Sequence, residues 1–278
     1  MAGYLRPGNL AKALAALGDR VPAVLAGGTD FYPARLGRPP TEDVLDITGL
    51  EELRRIEITP GQVRIGACVT WSELLQADLP RAFDGLKLAA REIGGIQIQN
   101  TATLAGNVCN ASPAADGIPN LVALDAEVEL TSLEGRRLVP IGAFVTGNRK
   151  TCRRPDELVT ALVVPCAATE ARSDFVKLGA RKYLVISIVM IASVIEIREK
   201  RVERARIAIG ACSAIACRLP ALEVELAGRP LDCCLAEAVR TEHLSPLTPI
   251  DDLRASAAYR RSAALVLLRR SLTRLGQA

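Results

Sequence analysis

The sequence predicts an α+β fold in two parts, and three observations carry the prediction. The first fifty residues alternate helix, strand, loop and strand signals. Long strand-like stretches begin at "DFVKL", Asp174 to Leu178, and the last fifty residues read as helix. A boundary near residue 172 therefore divides the chain into residues 1–172 and 173–278.

The elements follow in order. In "PGNLAKALAALG", Asn9 is placed as a helix cap, Leu10, Ala13, Leu14 and Leu17 share a face, and Gly18 is the expected stop. "VPAVLAGG" reads as a strand running into a glycine turn, and "VLDITGL" as a strand ending at Gly49. Val63, Ile65 and Ala67 alternate in "GQVRIGACVT" as a strand does, and Thr70 with Glu73 forms a capping box ahead of a helix. "GLKLAAREI" predicts a longer helix closed by Gly94 and Gly95, and "AEVELTSLEGRRLVPI" a hairpin turning at Glu134 and Gly135. After a strand-rich stretch with a charged turn at "REKR", the last helix can align Leu253, Ala257, Leu265, Leu268, Leu272 and Leu275. Its arginines, Arg260, Arg261, Arg269, Arg270 and Arg274, read as a solvated face, with an intersubunit contact as the alternative.

Composition narrows the function classes. With 278 residues, 49% of them hydrophobic, the chain can bury a sizeable core. Its 35 basic and 31 acidic residues are mixed along the sequence, which gives no case for nucleic-acid binding. The longest apolar run, "YLVISIVMIASVI" from Tyr183 to Ile195, is shorter than the roughly 18–20 residues of a membrane span and is rich in β-branched residues. Buried strand or buried helix is the expectation there. The opening residues have no basic start followed by an apolar core, so a cytoplasmic protein is expected. Eight cysteines contain no CxxC pair and are joined by a single histidine, His243, so free thiols and no metal site are expected.

Two segments carry chemistry. "VLAGGTDFYP", Val24 to Pro33, sets two glycines and a hydroxyl after an apolar run. "IGGIQIQNTATLAGNVCNASPAAD", Ile93 to Asp116, gathers glycines, threonines and asparagines. Small residues let a ligand approach the backbone, amides and hydroxyls donate to phosphate oxygens, and a carboxylate accepts from ligand hydroxyls. "AGGTD" has no GxGxxG pattern and no GK[ST] sequence, so it is neither a Rossmann fingerprint nor a P-loop. Alone it is more an ordinary turn than a ligand loop. Two such loops in one domain suit a dinucleotide better than a single phosphate.

"AGGTDFYPARLG" together with "IGGIQIQNTATLAGNVCNASPAADGIPNLVALDAEVEL" resembles the FAD-binding medium subunit of the xanthine dehydrogenase and carbon monoxide dehydrogenase family, the molybdenum hydroxylases. The likeness continues through "IGAFVTGNRKTCRRPDELVTALVVP" and "FVKLGARKYLVISIV" to "DLRASAAYRR". The resemblance implies a two-lobed FAD-binding domain of the p-cresol methylhydroxylase type. A smaller C-terminal domain with a three-stranded antiparallel sheet and helices is implied after it. Carried across, Val24, Leu25, Ala26, Gly27, Gly28, Thr29, Asp30 and Phe31 wrap the pyrophosphate, though Asp30 can instead close its own turn. Thr103, Gly106 and Asn107 meet the phosphates and ribityl chain, and Asp116 holds the adenosine end. Ile93 is set against the flavin ring or belongs to the core at a helix end. Val159 covers the pyrimidine portion or is a buried strand residue, and Lys177 reaches the isoalloxazine side. This chain departs from relatives with Ala105 where many have glycine and Gln99 where many have arginine.

The implied function is electron transfer inside a heteromeric complex. A large molybdopterin-binding subunit hydroxylates the substrate, a small iron–sulfur subunit relays electrons from 2Fe–2S clusters, and FAD on this chain passes them to an external acceptor. A stand-alone FAD-dependent oxidoreductase and a flavin-free assembly subunit are the alternatives. The electron-transfer reading requires no catalytic side chain and no metal ligand from this sequence, whereas a stand-alone enzyme would need acid–base residues, of which His243 is the single histidine.

Overall fold

The computed structural model describes residues 2–35, 41–166 and 171–277. Leu36 and Gly37, the last two residues of the "AGGTDFYPARLG" resemblance, lie outside them. Among the described residues three larger sheets succeed one another along the chain, each with its own helices, and a two-stranded ribbon accompanies the second.

The first lobe contains β1 (Tyr4–Leu5), α1 (Leu10–Arg20), β2 (Ala23–Leu25) and β3 (Val44–Asp46), with the parallel strands in the order β1-β3-β2. Asn9 caps α1 as expected, its side chain accepting from the Lys12 amide at 3.0 Å. The helix does not stop at Gly18. It runs on to Arg20 and ends at Val21, whose φ of 46° is left-handed and whose N–H bonds the Leu17 carbonyl. One more turn costs little because Ala13, Leu14 and Leu17 are already buried against Leu45 and Ile47.

The second lobe begins with β4 (Ile56–Thr59), β5 (Gln62–Gly66), α2 (Trp71–Gln76) and α3 (Asp84–Glu92). Two short helices follow where the sequence suggested a single loop, α4 (Ile96–Thr101) and α5 (Leu104–Asn110), and α6 (Gly117–Ala123) is formed by the apolar segment after it. The lobe closes with β6 (Glu127–Ser132), β7 (Gly135–Pro140), α7 (Ile141–Phe144), β8 (Val145–Gly147), β9 (Lys150–Thr151) and β10 (Leu158–Pro165). Five of these strands form an antiparallel sheet in the order β4-β5-β10-β6-β7. The Thr70 capping box is present: the Glu73 amide donates to Thr70 Oγ1 at 3.2 Å and Glu73 Oε2 accepts from the Thr70 amide at 2.7 Å.

The C-terminal part holds β11 (Ala171–Leu178), β12 (Val189–Arg198), β13 (Arg201–Gly210), β14 (Cys217–Arg218), α8 (Pro220–Leu226) and α9 (Ala257–Gln277). Its antiparallel sheet has the three long strands the resemblance implies, extended at one edge by the two-residue β14. The apolar run from Tyr183 to Ile195 is strand only from Val189 on, with Leu184 and Ile186 exposed ahead of it, and the packing explains why the strand part does not alternate. Met190, Ala192 and Val194 of β12 join the core of the second lobe, while Val189, Ile191, Ile195 and Ile197 join the core beneath α8 and α9. A sheet covered on both faces selects apolar residues at every position.

Two details of α9 differ from the sequence reading. Leu253 precedes the helix and is 93% exposed, whereas Ala264, Leu267, Leu268, Leu272 and Leu275 supply the buried face. Arg260 is not solvated. It is buried and donates to the carbonyls of Ile188 (2.6 Å) and Ala211 (3.0 Å) and to Asp252 Oδ1 (2.8 Å). Two carbonyls and a carboxylate replace water around its Nη1 and Nη2 groups, while the buried Nε has no hydrogen-bond partner among the described residues.

Candidate functional site

A cavity of about 480 Å³ opens between the first two lobes, and that volume falls in the range of roughly 300–1,000 Å³ usual for ligand sites. One wall comes from the end of β2 and the residues after it: Val24, Ala26, Gly27, Gly28, Thr29, Asp30 and Phe31. The other comes from α4, α5 and the segment around β9, with Ile93, Thr103, Gly106, Asn107 and Val159 among its residues. A smaller hollow of about 220 Å³ lies beside it, lined by Gly27, Thr48, Arg54, Thr70 and Thr101 among others, and Gly27 borders both.

The glycine loop is shaped by its neighbour. A Cβ on Gly27 would overlap the backbone carbonyl of Thr101, with the carbonyl carbon at 2.7 Å and Ala102 Cα at 2.8 Å. Gly28 has φ +72°, where a side chain is strained, and its Cβ would meet the ring of Tyr32. The loop thus lies directly on the α4–α5 junction, and the two candidate segments form facing walls of one site.

The α4–α5 junction is held by its own bonds. Thr103 caps α5, its Oγ1 accepting from the Gly106 amide at 2.9 Å, and the Trp71 amide donates to the Ala102 carbonyl at 3.1 Å. The Gly106 amide is therefore already engaged inside the protein. Asn107 Oδ1 accepts from the Gly117 amide at 3.1 Å, which ties α5 to the start of α6. Gln99, at the position of the relatives' arginine, donates from Nε2 to the Ile93 carbonyl at 3.0 Å and so fixes the end of α3 beside the cavity.

Three of the proposed residues stand off the cavity walls. Leu25 is buried in the first lobe. Asp116 and Lys177 face each other: Lys177 Nζ donates to Asp116 Oδ2 at 2.6 Å, and Ser187 Oγ donates to Oδ1 at 2.7 Å. Burial pushes the Asp116 carboxyl above the usual range, against the pull of the Lys177 ammonium. This cluster joins the second lobe to the C-terminal sheet, one residue from the Gly117–Asn107 bond.

Sequence reasoning missed the hairpin wall. Arg149, Thr151, Arg153 and Leu158 line the cavity, as do Arg35 and Cys109. In the sequence "GNRKTCRRPDEL" only continued the family resemblance, and the fold turns it toward α5. Glu157, 1% exposed, holds this segment by accepting from Arg137 Nε and Nη2 (2.6 and 2.9 Å) and from the Arg154 amide (2.7 Å). The Arg137 bonds, joined by those from Arg154, hold its carboxyl well below the ordinary 4.5, at about 2.

Two lobes meeting at a cavity, with a glycine loop seated on a helix junction, define a protein that holds a dinucleotide between its lobes. Comparison with known proteins agrees. Residues 1–167 match the family described as FAD binding domain in molybdopterin dehydrogenase, and residues 174–275 match the CO dehydrogenase flavoprotein C-terminal domain. The xanthine dehydrogenase FAD-binding subunit of Escherichia coli O157:H7 is 32% identical over 264 residues, covering 93% of this chain and 90% of that protein. The glyceraldehyde dehydrogenase medium chain of Sulfolobus acidocaldarius is 30% identical, covering 95% of this chain and 94% of the other. Among solved structures, reconstituted CO dehydrogenase from Oligotropha carboxidovorans superposes with a TM-score of 0.91 at 27% identity, covering 100% of this chain and 98% of that one. The chain belongs to the FAD-binding medium subunits of the molybdenum hydroxylase family, and its class is oxidoreductase.

Proposed function

We propose that this chain carries electrons between an iron–sulfur partner and an external acceptor, in a complex whose large subunit binds molybdopterin. The observation that carries the reading is the contact of the Gly27–Gly28 loop with the α4–α5 junction, which builds a dinucleotide-sized cavity from the two segments of the resemblance. FAD, when bound, supplies the step between one-electron carriers and a two-electron acceptor.

The protein's part is to bind and orient. Val24, Ala26, Gly27, Gly28, Thr29, Asp30, Phe31, Thr103, Gly106 and Asn107 form the proposed cradle, with Leu25 supporting it from the core of the first lobe. Ile93 and Val159 supply apolar surface for the ring system. Asp116 and Lys177 belong to the same proposed site through Gly117 and Asn107, which connect them to the wall. The division into residues 1–172 and 173–278 belongs to this reading, supported by the two matched spans on either side of it. A cytoplasmic location is proposed as well, supported by eight cysteines standing as free thiols. No helix among the described residues is long and apolar enough to cross a membrane.

The visible spectrum of the purified chain tests the proposal. Bound FAD near one equivalent, reducible by the iron–sulfur subunit but by no substrate in the isolated chain, is the expected result. Turnover by the isolated chain would establish a stand-alone oxidoreductase. A chain that stays colourless after FAD addition would leave only an assembly role.

A further inference from the structure

Charge around the cavity is unevenly compensated. Among the described lining residues, three arginines, Arg35, Arg149 and Arg153, stand against one carboxylate, Asp30. Arg35 is already engaged: its Nη2 lies 2.5 Å from a Glu42 carboxylate oxygen, and its guanidinium sits 3.8 Å from the centre of the Phe31 ring. Among the described residues the other two have only neutral hydrogen-bond partners. Arg149 Nη1 donates to Asn110 Oδ1 at 2.6 Å. Arg153 Nη1 donates to the carbonyls of Arg154, Pro155 and Glu157 at 3.2, 3.5 and 2.6 Å.

The backbone fixes this charge in place. Arg149 has φ +54° and donates its N–H to the Ala111 carbonyl at 2.8 Å, while Ala111 itself has φ +47°. Each left-handed non-glycine residue costs about 1 kcal/mol or more, and here two of them lock the β8–β9 turn onto the C-terminal end of α5. Arg153 shares this wall with Cys109 of α5.

Two guanidinium charges with neutral neighbours beside a cavity call for an anionic ligand group. The glycine loop offers amide dipoles at the other end of α5, about 10 Å away by helical rise, but no charge. Guanidinium supplies what amides lack: a fork of donors that bonds phosphate oxygens in pairs and keeps its charge. The geometry points to Arg149 and Arg153 as the charge partners of the FAD pyrophosphate, meeting it from the wall opposite the glycine loop. This rests on the flavin reading above.

The test titrates full-length apoprotein with FAD and with riboflavin, which has no phosphate, by flavin fluorescence at low and moderate salt. Arg149→Gln and Arg153→Gln should each weaken FAD by about tenfold or more, flatten the salt dependence and leave riboflavin affinity unchanged. Arg149→Lys, which keeps the charge, should retain part of the affinity. Unchanged FAD affinity and salt dependence in both glutamine variants would overturn the proposal. So would an equal loss of FAD and riboflavin, which would mean that Arg149 acts only by bracing Asn110. Wild-type protein that does not take up FAD would overturn the flavin reading itself.

Discussion

Gly27 and Gly28 are adjacent, yet different constraints keep each a glycine. At Gly27 the obstacle is backbone, the Thr101 carbonyl and Ala102 Cα, which cannot rotate aside; at Gly28 it is a left-handed φ and the ring of Tyr32, a side chain 61% exposed. Gly27→Ala should therefore cost about 1–3 kcal/mol and shift the whole loop, whereas Gly28→Ala should cost about 1–2 kcal/mol with the loop near its place. Urea unfolding and the flavin-to-protein absorbance ratio check the order; a Gly28 variant poorer in flavin than the Gly27 variant would refute it. The sequence showed that these glycines matter. That Gly27 is required by the α4–α5 junction, and not only by ligand approach, is visible solely in the packed loop.

At the scale of elements, the segment from Arg153 to Val159 acts as a strap, and Glu157 is its buckle. Its carboxyl, ordinarily near 4.5, is held at about 2 in the fold. A depressed carboxylate contributes stability that is complete above pH 4.5 and disappears as pH falls toward 2. Unfolding free energy followed across that window should fall less steeply for Glu157→Gln than for wild type, with the two curves converging near pH 2. Parallel curves would remove Glu157 from this role. The elements themselves were readable where a local signal defined them: the Asn9 and Thr70 caps, the Glu134–Gly135 hairpin, the alternation in β5. They were less readable where tertiary contact decided. Helices α4 and α5 are six and seven residues long, too short to stand without packing, so their sequence read as loop.

Across the whole molecule, the C-terminal sheet is joined to the second lobe through one face of β12 and through the Asp116–Lys177–Ser187 cluster. Removing one member of a buried pair leaves an uncompensated charge. Asp116→Asn should accordingly destabilise the chain by about 3–5 kcal/mol and lower flavin occupancy, while Asp116→Asn with Lys177→Met should regain much of the stability. A double variant no more stable than Asp116→Asn would show that the pair is not what joins the two parts. The resemblance singled out both residues, but nothing in the sequence indicated that, 61 positions apart, they bond each other.

By itself the sequence determined the α+β class, the two-part division it predicts, the two small-residue segments and, through their resemblance, the family and its cofactor. These are local properties: caps, turns and strand alternation act over a few residues, and a glycine loop can be recognised as a string. The tertiary structure alone decided which charges are compensated. Arg260, predicted to be solvated, is buried with acceptors; Arg149 and Arg153, not singled out by the sequence, line the cavity with neutral hydrogen-bond partners only among the described residues. Whether a charge is neutralised depends on groups within a few ångströms in space, and the chain brings those groups together from positions that no local pattern connects.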